Sequence, residues 1–195
     1  MDELAPKPGD ALIVVDLQND FLPGGSLAVP GGDAVIAPIN RYAKLFSGRA
    51  LPVFATRDWH PPDHCSFKAR GGPWPPHCVA GTRGAEFPAA LALPETAKVV
   101  SKAADRERDA YSGFQDTTLE RQLRANGVTR VFVAGLATDY CVLATVKDAR
   151  ARGFEAVVLA DAVRAVNVAP GDGERALGEM RALGARTAQM QDLAA

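Results

Sequence analysis

Asp16 and Cys141 have the clearest chemical potential in this sequence, because each stands where an apolar run ends. Asp16 closes Ala11-Leu12-Ile13-Val14-Val15. Cys141 follows Val131-Phe132-Val133-Ala134-Gly135-Leu136 by a few residues, where a helix should begin. In open α/β sheets the carboxyl ends of strands line the ligand crevice, so the two side chains are expected to share a site. A thiol beside a base is an arrangement for covalent catalysis. The positive end of a helix would favour thiolate at Cys141, and lowering an ordinary thiol pKa by roughly 1.5 units corresponds to about 2 kcal/mol. Lys102, just after Val99-Val100-Ser101, is a third polar residue at a strand end. It could hold Asp16 ionised or stabilise developing charge, or it could be an ordinary solvated lysine.

The three histidines, His60, His64 and His77, all fall in one stretch with Asp58. Imidazole and carboxylate together suit Zn²⁺, Mn²⁺ or Fe²⁺, and three protein ligands with open positions let a metal touch substrate or water. In an extended Asp58-Trp59-His60 the alternate side chains point the same way, so Asp58 and His60 can converge on one ion, with His77 closing the site from across a turn. The other reading is a set of ordinary polar loop residues, and spacing alone does not choose between them.

These residues need a scaffold. Short runs at Ala11 to Val15, Leu51 to Ala55, Lys98 to Ser101, Arg130 to Ala134 and Glu155 to Ala160 are nearly continuous in Val, Ile and Ala, the pattern of strands buried on both faces. A last short strand is expected at Arg186 to Met190. Helical patterns cover Asp33 to Phe46, Thr117 to Ala125, Thr138 to Arg152 and Asp172 to Leu183, and Gly48, Gly127, Gly153 and Gly184 follow them as C-terminal caps. The expected fold is a three-layer α/β/α domain with a mostly parallel, roughly six-stranded, doubly wound sheet. The exception is an excursion at about 56–94, too long for a simple link and crowded with Pro, Gly, His, Trp and Cys; it is expected to pass over the active site.

At 195 residues the chain suits one domain, 1–195, with this elaboration. A formal net charge of -1 without a basic run gives no attraction for nucleic acid or an anionic membrane surface, and the apolar runs are too short to span a bilayer. A small molecule is the expected partner. Cys65, Cys78 and Cys141 make an odd count without paired spacing, which points to a reduced, cytoplasmic compartment; Cys65 and Cys78 are expected to be small buried hydrophobes. No GxGxxG or GxxxxGK[ST] signature occurs.

Four segments, Val15-Asp16-Leu17-Gln18-Asn19-Asp20-Phe21, Thr56-Arg57-Asp58-Trp59-His60, Asp109-Ala110-Tyr111-Ser112-Gly113-Phe114 and Gly135-Leu136-Ala137-Thr138-Asp139-Tyr140-Cys141-Val142, occur in this order. Trp74-Pro75-Pro76-His77-Cys78 lies between the second and third. Together they resemble the isochorismatase-like hydrolases, in particular the nicotinamidase/pyrazinamidase branch, over nearly the whole chain. The resemblance implies a catalytic triad of Asp16, Lys102 and Cys141, and metal ligands Asp58, His60 and His77, with His64 left outside the set. It implies one divalent ion, Zn²⁺ ahead of Mn²⁺ or Fe²⁺. Phe21 and Trp74 would sandwich a pyridine ring whose nitrogen meets the metal, with Tyr111 as a further wall. A cis peptide is implied at Leu136–Ala137, with the Ala137 and Cys141 N–H groups facing an oxyanion. The implied reaction is hydrolysis of nicotinamide to nicotinate and ammonia through a thioester, with pyrazinamide also accepted, in NAD salvage. The alternatives are hydrolysis of another small amide or ureide, isochorismatase chemistry on a vinyl ether, and a noncatalytic ligand-binding role. Cys141 weighs against the vinyl ether, and the metal set against metal-free amidases. The charged interval Ala103 to Asp109 is longer than in some relatives. A homo-oligomer is left open.

Overall fold

The computed structural model describes residues 4–193. Six strands, β1 (Asp10–Val15), β2 (Val53–Asp58), β3 (Lys98–Lys102), β4 (Arg130–Leu136), β5 (Glu155–Arg164) and β6 (Arg186–Ala188), form one sheet in the order β3-β2-β1-β4-β5-β6. Every neighbouring pair is parallel. The helices are α1 (Ile36–Gly48), α2 (Leu119–Ala125), α3 (Leu143–Ala151), α4 (Asp172–Ala182) and α5 (Met190–Leu193). The chain steps from β1 outward to β3, then returns to the other side of β1 with β4. That reversal lies between β1 and β4, the place where such sheets open a crevice at their carboxyl ends.

Alternation along β1 divides the core in two. Leu12 and Val14 pack on one face with Ile39, Tyr42, Ala43 and Phe46 of α1. Ala11, Ile13 and Val15 pack on the other with Leu119 and Leu123 of α2, Val146 and Ala149 of α3, and Ala176 and Met180 of α4. Each fully buried Leu, Val or Phe contributes roughly 1.5–3 kcal/mol, and continuous apolar strands can supply both faces at once. At the amino ends of β1 and β4, Arg130 grips Asp10 with Nε at 2.8 Å and Nη2 at 2.6 Å from the two carboxylate oxygens. Among the described residues, no helix is long and apolar enough to cross a membrane.

Several boundaries depart from the sequence pattern. β2 starts later than Leu51 and continues through Thr56-Arg57-Asp58, so the excursion begins after Asp58 and occupies 59–97. The three extra residues pair with Val100, Ser101 and Lys102. A single 3₁₀ turn, Gly32–Val35, replaces the first turn expected for α1, and α2 starts at Leu119 rather than Thr117. A π-helical turn, Thr138–Val142, precedes α3. β6 stops at Ala188, and Met190 opens α5 instead of ending the strand. Gly127, Gly153 and Gly184 take positive φ as caps should, but Gly48 is the last residue of α1, and Ala50 takes the left-handed turn at φ 56°.

Gly135 holds the two central strands together at the site end. Its φ is +117°, and a Cβ there would sit 2.1 Å from the Val15 carbonyl oxygen. Gly135→Ala is therefore expected to cost at least about 2 kcal/mol, from a disfavoured φ and overpacking against backbone. Gly178 in α4 has nothing within 4 Å of a Cβ, so Gly178→Ala should instead gain about 0.5–1 kcal/mol. Urea unfolding of the two variants checks the opposite signs; equal stability of Gly135→Ala and the unaltered chain would contradict the close approach.

Candidate active site

Four strand ends deliver four groups to one place. Asp16 follows β1, Asp58 ends β2, Lys102 ends β3, and Cys141 lies in the turn after β4. The Lys102 ammonium is the hub: Nζ lies 2.5 Å from Asp58 Oδ1, 2.9 Å from Asp16 Oδ2, 3.0 Å from the Ala110 carbonyl oxygen and 3.6 Å from Cys141 Sγ. Its side chain is fully buried, so these contacts stand in for water around a charge that has three N–H donors. Lys102 is thus not the solvated surface residue that composition alone allowed.

Asp16 is held from its other side, where Thr56 Oγ1 donates to Oδ1 at 2.7 Å. Its backbone is in the left-handed region at φ 47°, and its N–H donates to the Thr56 carbonyl at 3.1 Å. Cys141 stands in the π-helical turn just beyond the Leu136–Ala137 peptide, which is cis. Ligand atoms of Asp16, Asp58 and Cys141 all lie within 4.8 Å of one another.

Burial and the neighbouring charges compete over each of these groups. Burial would depress the Lys102 ammonium, but Asp16 and Asp58 carry its pKa well above the ordinary value. Burial pushes Asp58 up, yet the attraction of Lys102 outweighs it and holds the carboxyl well below the usual range. Asp16 goes the other way: desolvation, helped by repulsion from Asp58, outweighs Lys102 and Thr56 and raises it. The Cys141 thiol is also pushed well up, by burial first and then by the two carboxylates, with Lys102 offsetting only part. Desolvation thus opposes the helix-end stabilisation of thiolate expected at Cys141.

Asp58, His60 and His77 offer a second set of ligand atoms within 4.8 Å of one another. His60 Nδ1 donates to the Ala103 carbonyl at 3.1 Å, and His77 Nδ1 donates to the Pro75 carbonyl at 2.8 Å. Those bonds fix the tautomers and leave both Nε2 lone pairs as acceptors, the orientation second partners impose on metal-binding histidines. His60 Nε2 is buried without a hydrogen-bond partner among the described residues and lies 3.7 Å from Asp58 Oδ2. Burial lowers the His77 pKa, which keeps that ring neutral. An orphaned buried nitrogen, a neutral imidazole and an ionised carboxylate suit a divalent cation. His64 is different: Nδ1 meets Ser66 Oγ at 2.7 Å and Nε2 meets the Arg108 carbonyl at 3.0 Å. It stacks on the His60 ring at 4.2 Å, and with both ring nitrogens engaged it has none directed at the Asp58, His60 and His77 group.

Residues of both sets open onto a narrow, mostly apolar cavity whose walls include Phe21, Trp74, Tyr111, Ala137, Asp58, His77 and Cys141. Trp74 Nε1 donates to Tyr111 Oη at 3.0 Å, which sets the indole plane. Tyr140 also lines the cavity, 5.3 Å from Trp74 and 5.9 Å from Tyr111 between ring centres; sequence reasoning missed it although it precedes Cys141. Gln18 was missed too: its amide donates to the Asp58 carbonyl and accepts from the Asp58 N–H, each at 2.8 Å. The charged interval Ala103 to Asp109 folds back on the excursion, where the Arg106 carbonyl accepts from the Cys65 N–H. Its exposed ion pairs, such as Arg106 with Asp63, contribute little. Cys78 is the buried hydrophobe expected, whereas Cys65 is only half-buried because the site loop turns there.

The isochorismatase domain model matches residues 10–192. The chain is 38% identical to a nicotinamidase of Escherichia coli K12, over 95% of this chain and 97% of that one. The structure of a Pyrococcus horikoshii pyrazinamidase in complex with zinc superposes with a TM-score of 0.90 at 51% identity, covering 94% of this chain and 100% of the other. A PnC1 structure from L. infantum, in complex with nicotinate, gives a TM-score of 0.89 at 38% identity, with 96% of each chain covered. Strand order, strand-end chemistry and these matches agree: the chain belongs to the isochorismatase family.

Proposed function

We propose that this protein is a nicotinamidase, a metal-dependent cysteine amidohydrolase that converts nicotinamide to nicotinate and ammonia and also accepts pyrazinamide. The observation that carries the reading is that the Cys141 thiol, next to Lys102 and Asp16, lines the same aromatic cavity as Asp58 and His77. That placement suits a flat heteroaromatic amide better than a vinyl ether, which has no use for a thiol nucleophile. The matches to nicotinamidases and pyrazinamidases support the same substrate class.

Phe21 and Trp74 hold the ring by its faces, and Tyr111 and Tyr140 close the edge, which positions the carboxamide over Cys141. Asp16 accepts the thiol proton as the sulfur attacks the carboxamide carbon. Its raised pKa makes it a competent base and later an acid, matched to the work asked of it. Lys102 balances the negative charge that would otherwise accumulate on Asp16 and the sulfur. The Ala137 and Cys141 N–H groups face the developing oxyanion. Asp16 then returns the proton to the amide nitrogen, the C–N bond breaks, and ammonia leaves. In the second half Asp16 takes a proton from water, the water oxygen adds to the thioester, the C–S bond breaks with the proton returned to sulfur, and nicotinate departs. A divalent ion held by Asp58, His60 and His77, Zn²⁺ in our reading, supplies a Lewis acid that can orient a ring nitrogen. We further infer one domain over the whole chain, acting in NAD salvage in the reduced environment of the cytoplasm, with Asp16, Lys102 and Cys141 as catalytic residues.

Ammonia release from nicotinamide should be lost in Cys141→Ala and in His60→Ala, and lost reversibly on chelation. Retention of turnover by Cys141→Ala would overturn the thioester route. Lys102→Met leaves two buried carboxylates without their cation and is expected to cost about 3–5 kcal/mol in thermal or denaturant unfolding, with part of the loss recovered by adding Asp16→Asn. Full stability of the single variant would contradict the charge balance described here.

A further inference from the structure

We infer that Asp20 is a positioning residue that ties the ring-holding turn to the metal-ligand loop, so that the aromatic pocket and the cation site are set by one side chain. Asp20 sits in the 3₁₀ turn Asn19–Phe21, immediately before the cavity residue Phe21. Its Oδ2 accepts the Cys78 N–H at 2.7 Å. Cys78 directly follows His77, and its carbonyl accepts the His60 N–H at 3.0 Å. One peptide residue therefore joins both imidazole ligands, and Asp20 holds it from outside. Cys78 adopts φ 45° there, a conformation most residues keep only when neighbours fix it.

The grip is doubled by the next residue, since the Phe21 ring lies 5.7 Å from the His77 ring. Asp20 and Phe21 thus hold Cys78 and His77 as two adjacent pairs. The socket around Asp20 is shaped for it. Its backbone carbonyl accepts the Leu27 N–H at 3.0 Å, and its Oδ1 receives the Ser26 N–H at 3.3 Å. A Cβ at Gly84 would stand 2.1 Å from Oδ2, and one at Gly25 would stand 2.4 Å from the Asp20 carbonyl oxygen. Two positions without side chains let the carboxylate reach the Cys78 peptide. The role is positional: Asp20 holds the ligand loop by its backbone and supplies none of the three ligand atoms grouped at the site.

The inference rests on the metal site proposed above, and its test reads metal binding directly. Metal-stripped full-length protein is titrated with Zn²⁺ against a chelator, and with Co²⁺ followed by its visible absorption, for the unaltered chain, Asp20→Ala, Asp20→Asn and Gly84→Ala. Asp20→Ala and Gly84→Ala should weaken the ion by about tenfold or more, the scale seen when partners behind metal ligands are lost, and shift the Co²⁺ bands. Asp20→Asn keeps an acceptor oxygen and should restore affinity to within about threefold of the unaltered chain, with KM for nicotinamide following the same order. Unchanged affinity and spectrum in Asp20→Ala would overturn the inference, as would an equal loss in Asp20→Asn. Should Asp20→Ala fail to fold by circular dichroism, Gly84→Ala decides, and ion binding like that of the unaltered protein overturns it. A protein that binds the ion but leaves nicotinamide intact would count against the proposed function, and the titrations would still decide the role of Asp20.

Discussion

One buried ammonium between two carboxylates is the interaction on which the rest of this site depends. Lys102 brings a positive charge to the end of an edge strand and under cover, where it would be unaffordable alone. Asp58 and Asp16 make it tolerable, and each acquires a different character from the arrangement. Asp58 takes the closer contact and stays ionised, which suits the side of the cluster facing His60 and His77. Asp16 is left the more basic carboxylate, next to the thiol. Two residues of one chemical type are thus separated in acidity by their distance from a single cation and their share of desolvation.

The sheet explains why such a cluster can exist. Parallel strands in the order β3-β2-β1-β4 put four carboxyl ends side by side, so residues far apart in sequence arrive within hydrogen-bond reach. The excursion at 59–97 then covers this floor with histidine and aromatic side chains. It carries little regular structure, and polar side chains do the work a strand ladder would otherwise do. Gln18 fixes Asp58 through both backbone groups, and Asn19 donates to the Arg83 carbonyl at 2.8 Å.

The apolar runs made the sheet legible in the sequence, because strands buried on both faces leave an unbroken Val/Ile/Ala signature. The polar end of β2 was not legible that way: Thr56 and Asp58 remain in strand conformation because they pair with β3, yet their side chains serve the cluster rather than the core. Asp16 and Cys141 stood out by their place at strand ends. The four contacts of Lys102 could not be read locally, since they come from four separate segments. The distinction between His60 and His64 likewise needed coordinates, because it depends on which carbonyl each ring nitrogen meets. The π-helical turn at Cys141 has the same apolar pattern as an ordinary first turn, so the helix was expected to begin there.

The fastening of β1 to β4 bears on how a ligand gets in. At one end of the pair Arg130 clamps Asp10 through two buried hydrogen bonds, and at the other Gly135 lets β4 lie directly against the Val15 backbone. Strands pinned at both ends have no soft direction in which to part. The crevice floor is consequently the better fastened part of the fold, and any breathing that admits or releases a ligand falls to the covering segments, which include Leu27 and Trp74 of the cavity lining. The groups of Asp16, Asp58 and Lys102 thus sit on the part of the fold held by strand pairing, and the cavity above them is closed by side chains from outside the sheet.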